Sequence, residues 1–164
     1  MPTYLITGGN RGLGLEFARQ LSKREGVTLI ATARDVARAT ELARLVHQVL
    51  PLDVQDEESI RELGRRLADG PIDVLINNAG VSSDQKTVDS LTQAELRRGF
   101  GVDALGPMLV TRHVLAGLRA GTQKTVFNIT SMLGSIAGNS GGSSYAYRAS
   151  KAALNMLTVS LANE

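Results

Sequence analysis

The chain has 164 residues, of which 43% are apolar and 21% charged, and its formal net charge is +2. This is the composition of one ordinary globular domain, and the small charge, with arginines spread among glutamates, gives little support for nucleic-acid binding. The absence of cysteine excludes disulfides and thiolate metal sites, and no apolar run is long enough to span a membrane.

Strands and helices alternate along the chain. A strand begins almost at the N-terminus without a basic and then apolar leader, so the cytoplasm is the expected compartment. Strands are predicted at 4–7, 28–33, 49–52, 74–77 and 125–129. Helices are predicted at 13–23, around 37–46, along the stripe of Ile60, Leu63 and Leu67, after the capping box of Thr92 and Glu95, and around Tyr147. The alternation predicts a single α/β domain over 1–164, with a parallel sheet covered by helices on both faces.

A glycine-rich turn joins the first strand to the first helix. Residues 8–14 read Gly-Gly-Asn-Arg-Gly-Leu-Gly. Glycines allow a tight turn and let backbone N–H groups approach a pyrophosphate, whose charge is favoured at a helix N-terminus. The spacing differs from the commoner Gly-x-Gly-x-x-Gly, and a glycine turn without a ligand is the alternative.

Near the other end of the chain, Tyr147 and Lys151 are four residues apart. On a helix this spacing makes the two side chains neighbours. The ammonium group of Lys151 would favour the ionised form of the Tyr147 phenol, which makes the tyrosine usable as an acid or base nearer neutral pH. The pair alone is weak evidence, because the same spacing occurs by chance in ordinary helices.

Four sequence blocks together resemble the short-chain dehydrogenase/reductase family. They are residues 7–14, residues 52–54 (Leu-Asp-Val), residues 77–80 (Asn-Asn-Ala-Gly), and Ser131 followed by the Tyr147 and Lys151 pair. They occur in the family's order and span almost the entire chain. The wording of the first and last blocks is most similar to the C-factor-like or sniffer-like carbonyl reductases. The resemblance implies a Rossmann-type doubly wound parallel sheet.

The resemblance also implies a set of cofactor contacts. Asp53 would accept a hydrogen bond from the adenine amino group, and the turn at 77–80 would line the adenine ribose. Turn-forming or capping roles are the alternatives for these residues. The complete implied set is Gly8, Asn10, Arg11, Gly12, Leu13, Gly14, Arg34, Asp53, Val54, Asn78, Ala79, Gly80, Tyr147 and Lys151.

The residue at the end of the second strand indicates which dinucleotide is bound. An acidic residue about 20 positions beyond the glycine turn favours NAD, whereas arginine accommodates the 2′-phosphate of NADP. Counting from Gly14 reaches Arg34, and Arg11 could supply a second positive charge. NADP(H) is therefore favoured, although the neighbouring Asp35 weakens the argument. Solvated surface arginines are the alternative.

For the chemistry, the family implies hydride transfer between the nicotinamide C4 and a carbonyl carbon. Tyr147 would give or take the proton on oxygen, and Lys151 would also bind the nicotinamide ribose. Ser131 would donate to the substrate oxygen and stabilise its developing negative charge. Thr130 and Ser135 are alternatives to Ser131, whose separation from Tyr147 is a few residues longer than usual. Tyr145 is the alternative to Tyr147 as the catalytic tyrosine.

Asp103 departs from the family pattern, which usually has an asparagine at this place in the fourth helix. That asparagine helps to hold a water chain leading from the lysine. An aspartate can also hold water, but as an anion it would strengthen the ionised state of Lys151 and oppose ionisation of Tyr147. We therefore expect turnover to survive with a shifted pH optimum.

A second departure is that relatives continue beyond the position matching Glu164, with two further strands and the helices that cover the substrate. We expect either a fragment of a longer reductase, incomplete at its C-terminus, or a short product that retains nucleotide binding but has lost catalysis. Strand five would then be an open edge carrying Val126, Phe127 and Ile129.

Two function classes follow from these observations. The first is an NADP(H)-dependent oxidoreductase acting on a small carbonyl or alcohol substrate, and the alternative is a catalytically weak nucleotide-binding or interaction protein. Relatives associate through helices four and five, so a homodimer is plausible. His47 and His113 lack metal-ligand spacing, and we expect no metal site. The loop 81–88 is too generic to identify a substrate.

Overall fold

The computed structural model describes residues 1–83 and 87–164. Five parallel strands form one sheet in the order β3-β2-β1-β4-β5. They are β1 (Thr3–Ile6), β2 (Thr28–Ala33), β3 (Gln48–Pro51), β4 (Val74–Asn77) and β5 (Thr125–Asn128). The chain reverses its direction of travel across the sheet between β3 and β4, which opens a crevice at the carboxyl ends of β1 and β4. The predicted Rossmann-type doubly wound sheet is confirmed.

Seven α-helices accompany these strands in the described residues. They are α1 (Gly12–Leu21), α2 (Thr40–Ala43), α3 (Glu57–Arg66), α4 (Gln93–Phe100), α5 (Gly106–His113), α6 (Leu115–Ala120) and α7 (Tyr145–Ala162). Among the described residues, no helix is both long and apolar enough to cross a membrane.

Helices bury both faces of the sheet, and successive strand residues point to opposite faces. Leu5 is fully buried in a cluster with Ile60 and Val110, on the side of α3 and α5. Its neighbour Ile6 is fully buried in a second cluster with Ala18, on the side of α1. One strand thus supplies side chains to both halves of the core.

The second predicted helix is wrong in extent, since residues 37–46 form only the single turn of α2. Asp35 accepts a hydrogen bond from the Arg38 backbone N–H at 3.2 Å, which builds a turn where the helix was expected to begin. At the other end, the His47 ring accepts from the Leu29 backbone N–H at 3.0 Å and fastens the chain to β2. Local polar contacts therefore limit the helix.

The fourth helix begins as predicted and then changes its pitch. Thr92 and Glu95 form the reciprocal capping box, with the Glu95 N–H donating to Thr92 Oγ1 at 3.2 Å and the Thr92 N–H donating to Glu95 Oε2 at 3.1 Å. Residues Gly101–Leu105 form a π-helical turn that continues directly into α5. A π turn rotates the side chains that follow it, and this one contains Asp103, which is fully buried.

Asp73 joins three segments at the amino ends of the strands, opposite the crevice. Its carboxylate accepts from the backbone N–H of Thr3 at 2.7 Å and from both the N–H and the hydroxyl of Thr122 at 2.7 Å. The Thr122 hydroxyl and these N–H donors lower the pKa of Asp73 well below its ordinary value. This carboxylate fixes the approach to β1, β4 and β5.

β5 is an edge strand of the sheet, as expected. The Phe127 side chain on it is 54% exposed. The Asn128 side chain donates to the Thr158 hydroxyl at 2.9 Å, which ties this edge to α7.

Candidate functional site

The glycine turn packs tightly against the segment that follows β4. Gly8 has φ of +65°, and a Cβ built on it would lie 2.9 Å from the Ala79 Cα. A Cβ on Gly14 would lie 2.3 Å from the Gly8 carbonyl oxygen and 2.4 Å from the Asn78 amide nitrogen. Residues with a side chain do not fit at either position, so the turn requires glycine for both its conformation and its packing.

Hydrogen bonds lock this turn in place. The Asn78 side chain donates to the carbonyl oxygens of Thr7 and Gly8, both at 3.0 Å. The Thr7 hydroxyl accepts from the backbone N–H groups of Asn78 and Ala79, also at 3.0 Å. Asn77 is buried and donates to the side chains of Thr111 and Asn128. Asn77 and Asn78 therefore join neighbouring segments as well as forming a turn.

A cleft of about 800 Å³ lies above the carboxyl ends of the strands. This volume is in the range of ligand-binding pockets, about 300–1,000 Å³. Thirteen of the fourteen predicted cofactor residues line it: Gly8, Asn10, Arg11, Gly12, Leu13, Arg34, Asp53, Val54, Asn78, Ala79, Gly80, Tyr147 and Lys151. Gly14 is the exception, because it is buried between the Gly8 carbonyl and Asn78. The volume of the cleft and its glycine-rich wall fit a dinucleotide.

Tyr147 and Lys151 lie together in the wall of this cleft. The Lys151 Nζ is 5.7 Å from the centroid of the Tyr147 ring, within the range of a cation–π contact. Nζ also donates to the Ile129 carbonyl oxygen at 2.8 Å, which fixes the ammonium group beside the end of β5. The first turns of α7 therefore hold a cation next to a half-buried phenol.

Asp103 joins the lysine from the π turn. Its Oδ1 accepts from the Val81 N–H at 2.9 Å and lies 3.6 Å from the Lys151 Nζ, while its Oδ2 accepts from the Ser150 hydroxyl at 3.4 Å. Burial raises the pKa of Asp103 and lowers the pKa of Lys151, because loss of water disfavours both charged forms. Each partner opposes the shift of the other, so the pair is electrostatically coupled.

Ser131 is the third residue after β5, which ends at Asn128, and it is not among the residues that line the cleft. Its hydroxyl accepts from the Leu133 N–H at 3.2 Å and caps a short 3₁₀ turn, Met132–Gly134. A hydroxyl in this position still has its own proton to donate. Thr130 lines the cleft, and its hydroxyl donates to Asn155 Oδ1 at 2.6 Å. The geometry therefore keeps Thr130 as a rival of Ser131.

The two other rivals lie elsewhere. The Ser135 hydroxyl accepts from the Gly138 N–H at 3.1 Å within an exposed turn. Tyr145 is the first residue of α7, and it is not among the residues that line the cleft. The cleft lining therefore includes Tyr147 and not Tyr145, and of the three candidate hydroxyl residues 130, 131 and 135 it includes Thr130 alone.

A sequence model described as short chain dehydrogenase matches residues 2–164. The chain belongs to the short-chain dehydrogenase family. Neighbours among solved structures agree with this assignment. The NADPH-bound carbonyl reductase from chicken fatty liver has a TM-score of 0.86 and 33% identity, and the match covers 96% of this chain and 71% of that chain. The carbonyl reductase Sniffer of Drosophila melanogaster has a TM-score of 0.88 and 31% identity, over 98% of this chain and 74% of that chain.

Curated relatives include C-signal of Myxococcus xanthus, which is 45% identical over 64% of this chain and 63% of that protein. An uncharacterized oxidoreductase of Schizosaccharomyces pombe is 33% identical over 93% of this chain and 63% of its own length. This chain thus spans a little under two thirds of the length of these relatives. The predicted resemblance to C-factor-like and sniffer-like short-chain dehydrogenases is confirmed.

Sequence reasoning missed two basic residues of this short-chain dehydrogenase cleft. Arg38 lines it near Arg34, and Arg98 of α4 lines it near Tyr147. The four-residue spacing of Arg34 and Arg38 could have indicated a second basic residue in the cleft, but Arg38 was assigned to the predicted helix at 37–46. Nothing in the sequence distinguished Arg98 from its neighbour Arg97. Among the described residues, no group of three metal-ligating side chains is present.

Proposed function

We propose that the chain is an NADP(H)-dependent oxidoreductase that interconverts a small carbonyl compound and its alcohol, with Tyr147 as the general acid and base. The observation that carries the proposal is the placement of Lys151 Nζ 5.7 Å from the Tyr147 ring centroid, in the wall of the cleft that the glycine turn also lines. A cation beside a phenol in a ligand cleft supports acid–base chemistry more than simple nucleotide storage.

The cleft residues support binding of NADP(H), which would supply or accept the hydride at its nicotinamide. Arg34 and Arg38 would hold the 2′-phosphate, since guanidinium groups match phosphate oxygens in geometry and charge. Gly12 begins α1, whose N-terminus favours the pyrophosphate. Asp53 and the turn at 77–80 would bind the adenosine half.

The remaining residues would act on the proton and the substrate oxygen. During reduction, Tyr147 donates its phenolic proton to the carbonyl oxygen, and the Lys151 ammonium stabilises the phenolate that is left. Ser131 donates a hydrogen bond to the same oxygen, where negative charge develops. Two groups hold the Lys151 ammonium in position. They are the Asp103 carboxylate, which forms an ion pair with it, and the Ile129 carbonyl, which accepts its hydrogen bond.

Two further features of the proposal concern assembly and location. A homodimer through α4 and α7 stays a prediction, supported by the exposed apolar side chains of Met156 and Val159 on α7 and of Leu105 in the π turn after α4. A cytoplasmic location also stays a prediction, supported by the cysteine-free composition.

Replacing Arg34 by glutamine tests the cofactor assignment. We expect the Kd for NADPH to rise by about 10- to 100-fold, because a charge-assisted hydrogen bond contributes about 1.5–3 kcal/mol. The Kd for NADH should stay nearly unchanged, since that cofactor has no 2′-phosphate. Nicotinamide fluorescence measures both constants. Arg44→Gln is the control, because Arg44 is exposed just after α2 and outside the cleft lining. Equal weakening of NADPH and NADH would refute the phosphate contact.

Asp103→Asn tests the coupled pair. The Asp103 carboxylate raises the pKa of Lys151 against the lowering by burial. Removing that charge lets the ammonium lose its proton at lower pH, so we expect the alkaline limb of the kcat/KM profile to move to lower pH while turnover survives. An unchanged profile would show that Asp103 does not influence the ionisation of Lys151 and Tyr147 during the reaction. Asp69→Asn, on an exposed loop, is the control.

A further inference from the structure

A side pocket opens beside Tyr147, next to the main cleft. It has a volume of about 100 Å³. α4 supplies one wall, the segment after β4 supplies another, and Tyr147 lines both the pocket and the main cleft. Its polar lining groups are Ser82, Ser83, Glu95, Arg98, Asp103 and Tyr147. The pocket has room for a small polar group attached to a molecule whose carbonyl lies at Tyr147.

Close packing of two helices builds this pocket. A Cβ built on Gly99 would lie 3.2 Å from the Ala146 carbonyl oxygen, so α4 and α7 approach each other closely here. Their chain neighbours Arg98 and Tyr147 therefore flank the same pocket. The Tyr147 backbone N–H donates to the Ser83 hydroxyl at 3.1 Å, which holds the segment after β4 against α7. The pocket is thus built by the packing of α4, α7 and the segment after β4, and two of the residues that line it, Arg98 and Ser82, are exposed.

The charges in the pocket are not equivalent. The Glu95 carboxylate caps the start of α4, where it accepts hydrogen bonds from the Thr92 N–H and hydroxyl at 3.1 and 2.8 Å. Asp103 faces Lys151 and the Val81 N–H. Arg98, in contrast, has no carboxylate within 4.0 Å among residues 1–83 and 87–164. Its guanidinium is the charge that is available to a ligand.

We propose that Arg98 selects carbonyl substrates that carry a carboxylate, by binding that carboxylate in the side pocket while the carbonyl lies at Tyr147. This inference rests on the proposed oxidoreductase function and adds the class of its substrate. Guanidinium groups bind carboxylates through two parallel hydrogen bonds, and Ser82 adds a neutral polar side chain from the wall that follows β4. The basic residues Arg11, Arg34 and Arg38 belong to the glycine-turn end of the cleft and leave Arg98 to the substrate.

The test compares 4-acetylbenzoate with 4-acetylbenzamide, which have the same ketone and nearly the same shape but differ in charge. We expect the wild-type chain to prefer the benzoate, and we expect Arg98→Gln to lower the ratio of the two kcat/KM values by about 10- to 100-fold. Arg98→Lys should retain part of the preference. Arg97→Gln is the matched control, since Arg97 is exposed in the same helical turn and lines neither pocket. It should leave the ratio unchanged.

Calorimetric binding of both ketones to the NADP⁺ complex gives a readout without turnover. If neither ketone is reduced, the proposed function fails, while the binding ratio and its loss in Arg98→Gln still decide the role of Arg98. If both ketones are bound and reduced equally well, the carboxylate proposal fails while the oxidoreductase stands. A rise in the Kd for NADPH in Arg98→Gln, with the ketone ratio unchanged, would assign Arg98 to the cofactor and overturn the proposal.

Discussion

Replacing Tyr147 by phenylalanine is expected to lower kcat/KM for carbonyl reduction by about 100- to 10,000-fold, the usual contribution of a general acid. Phenylalanine keeps the ring that lies beside Lys151 and removes only the hydroxyl group that donates the proton. The half-buried ring of Tyr147 remains in the wall of the cleft, so NADPH binding and the thermal midpoint should change little. NADPH oxidation at 340 nm measures the rate, and nicotinamide fluorescence measures binding.

Tyr145→Phe is the control for this variant. Tyr145 lies on the same helix, is 37% exposed and does not line the cleft, so its substitution should leave the rate near that of the wild type. Undiminished turnover in Tyr147→Phe would remove Tyr147 from the reaction. A large loss in Tyr145→Phe alone would exchange the roles of the two tyrosines.

Replacing Gly14 by alanine is expected to weaken NADPH binding by more than about tenfold and to destabilise the fold by about 1–3 kcal/mol, the usual cost of overpacking. The new methyl group would lie 2.3 Å from the Gly8 carbonyl oxygen and 2.4 Å from the Asn78 amide nitrogen. The carbonyl is backbone, and the amide is held by two hydrogen bonds, so neither moves without distorting the turn. Fluorescence titration and urea unfolding measure the two effects.

Gly70→Ala controls for the general effect of replacing glycine. A Cβ on Gly70 meets no atom within 4 Å, and the residue lies on the exposed loop after α3. We expect its NADPH affinity to match that of the wild type. Unaltered cofactor affinity in Gly14→Ala would contradict the tight packing of the glycine turn.

The sequence was sufficient for the sheet because its strands are short and bounded by clear turn residues. The strands at 28–33 and 74–77 were predicted to the residue, and the others lie within one residue of prediction. α2 was overestimated because its ends depend on the Asp35 carboxylate and the His47 ring, which act through contacts that periodicity does not reveal. The capping box at Thr92 was predictable because both partners are local.

The site was predictable where residue type and spacing define the function, as in the glycine turn and the Tyr147 and Lys151 pair. Three aspects needed three-dimensional packing. Gly14 was predicted among the cofactor contacts, and the structure shows that it allows close contact between the turn and Asn78. The π turn that buries Asp103 has no sequence signature of its own, and the side pocket of Arg98 lies where α4 and α7 pack closely at Gly99.

The most direct test of the acid–base assignment is a crystal structure of the chain with NADP⁺ and an alcohol that it oxidises. We predict the alcohol oxygen at about 2.6–3.2 Å from the Tyr147 hydroxyl, the range in which a proton is transferred, with Lys151 still beside the ring. An alcohol oxygen bound beyond the reach of that hydroxyl, or a nicotinamide placed away from Tyr147, would contradict it.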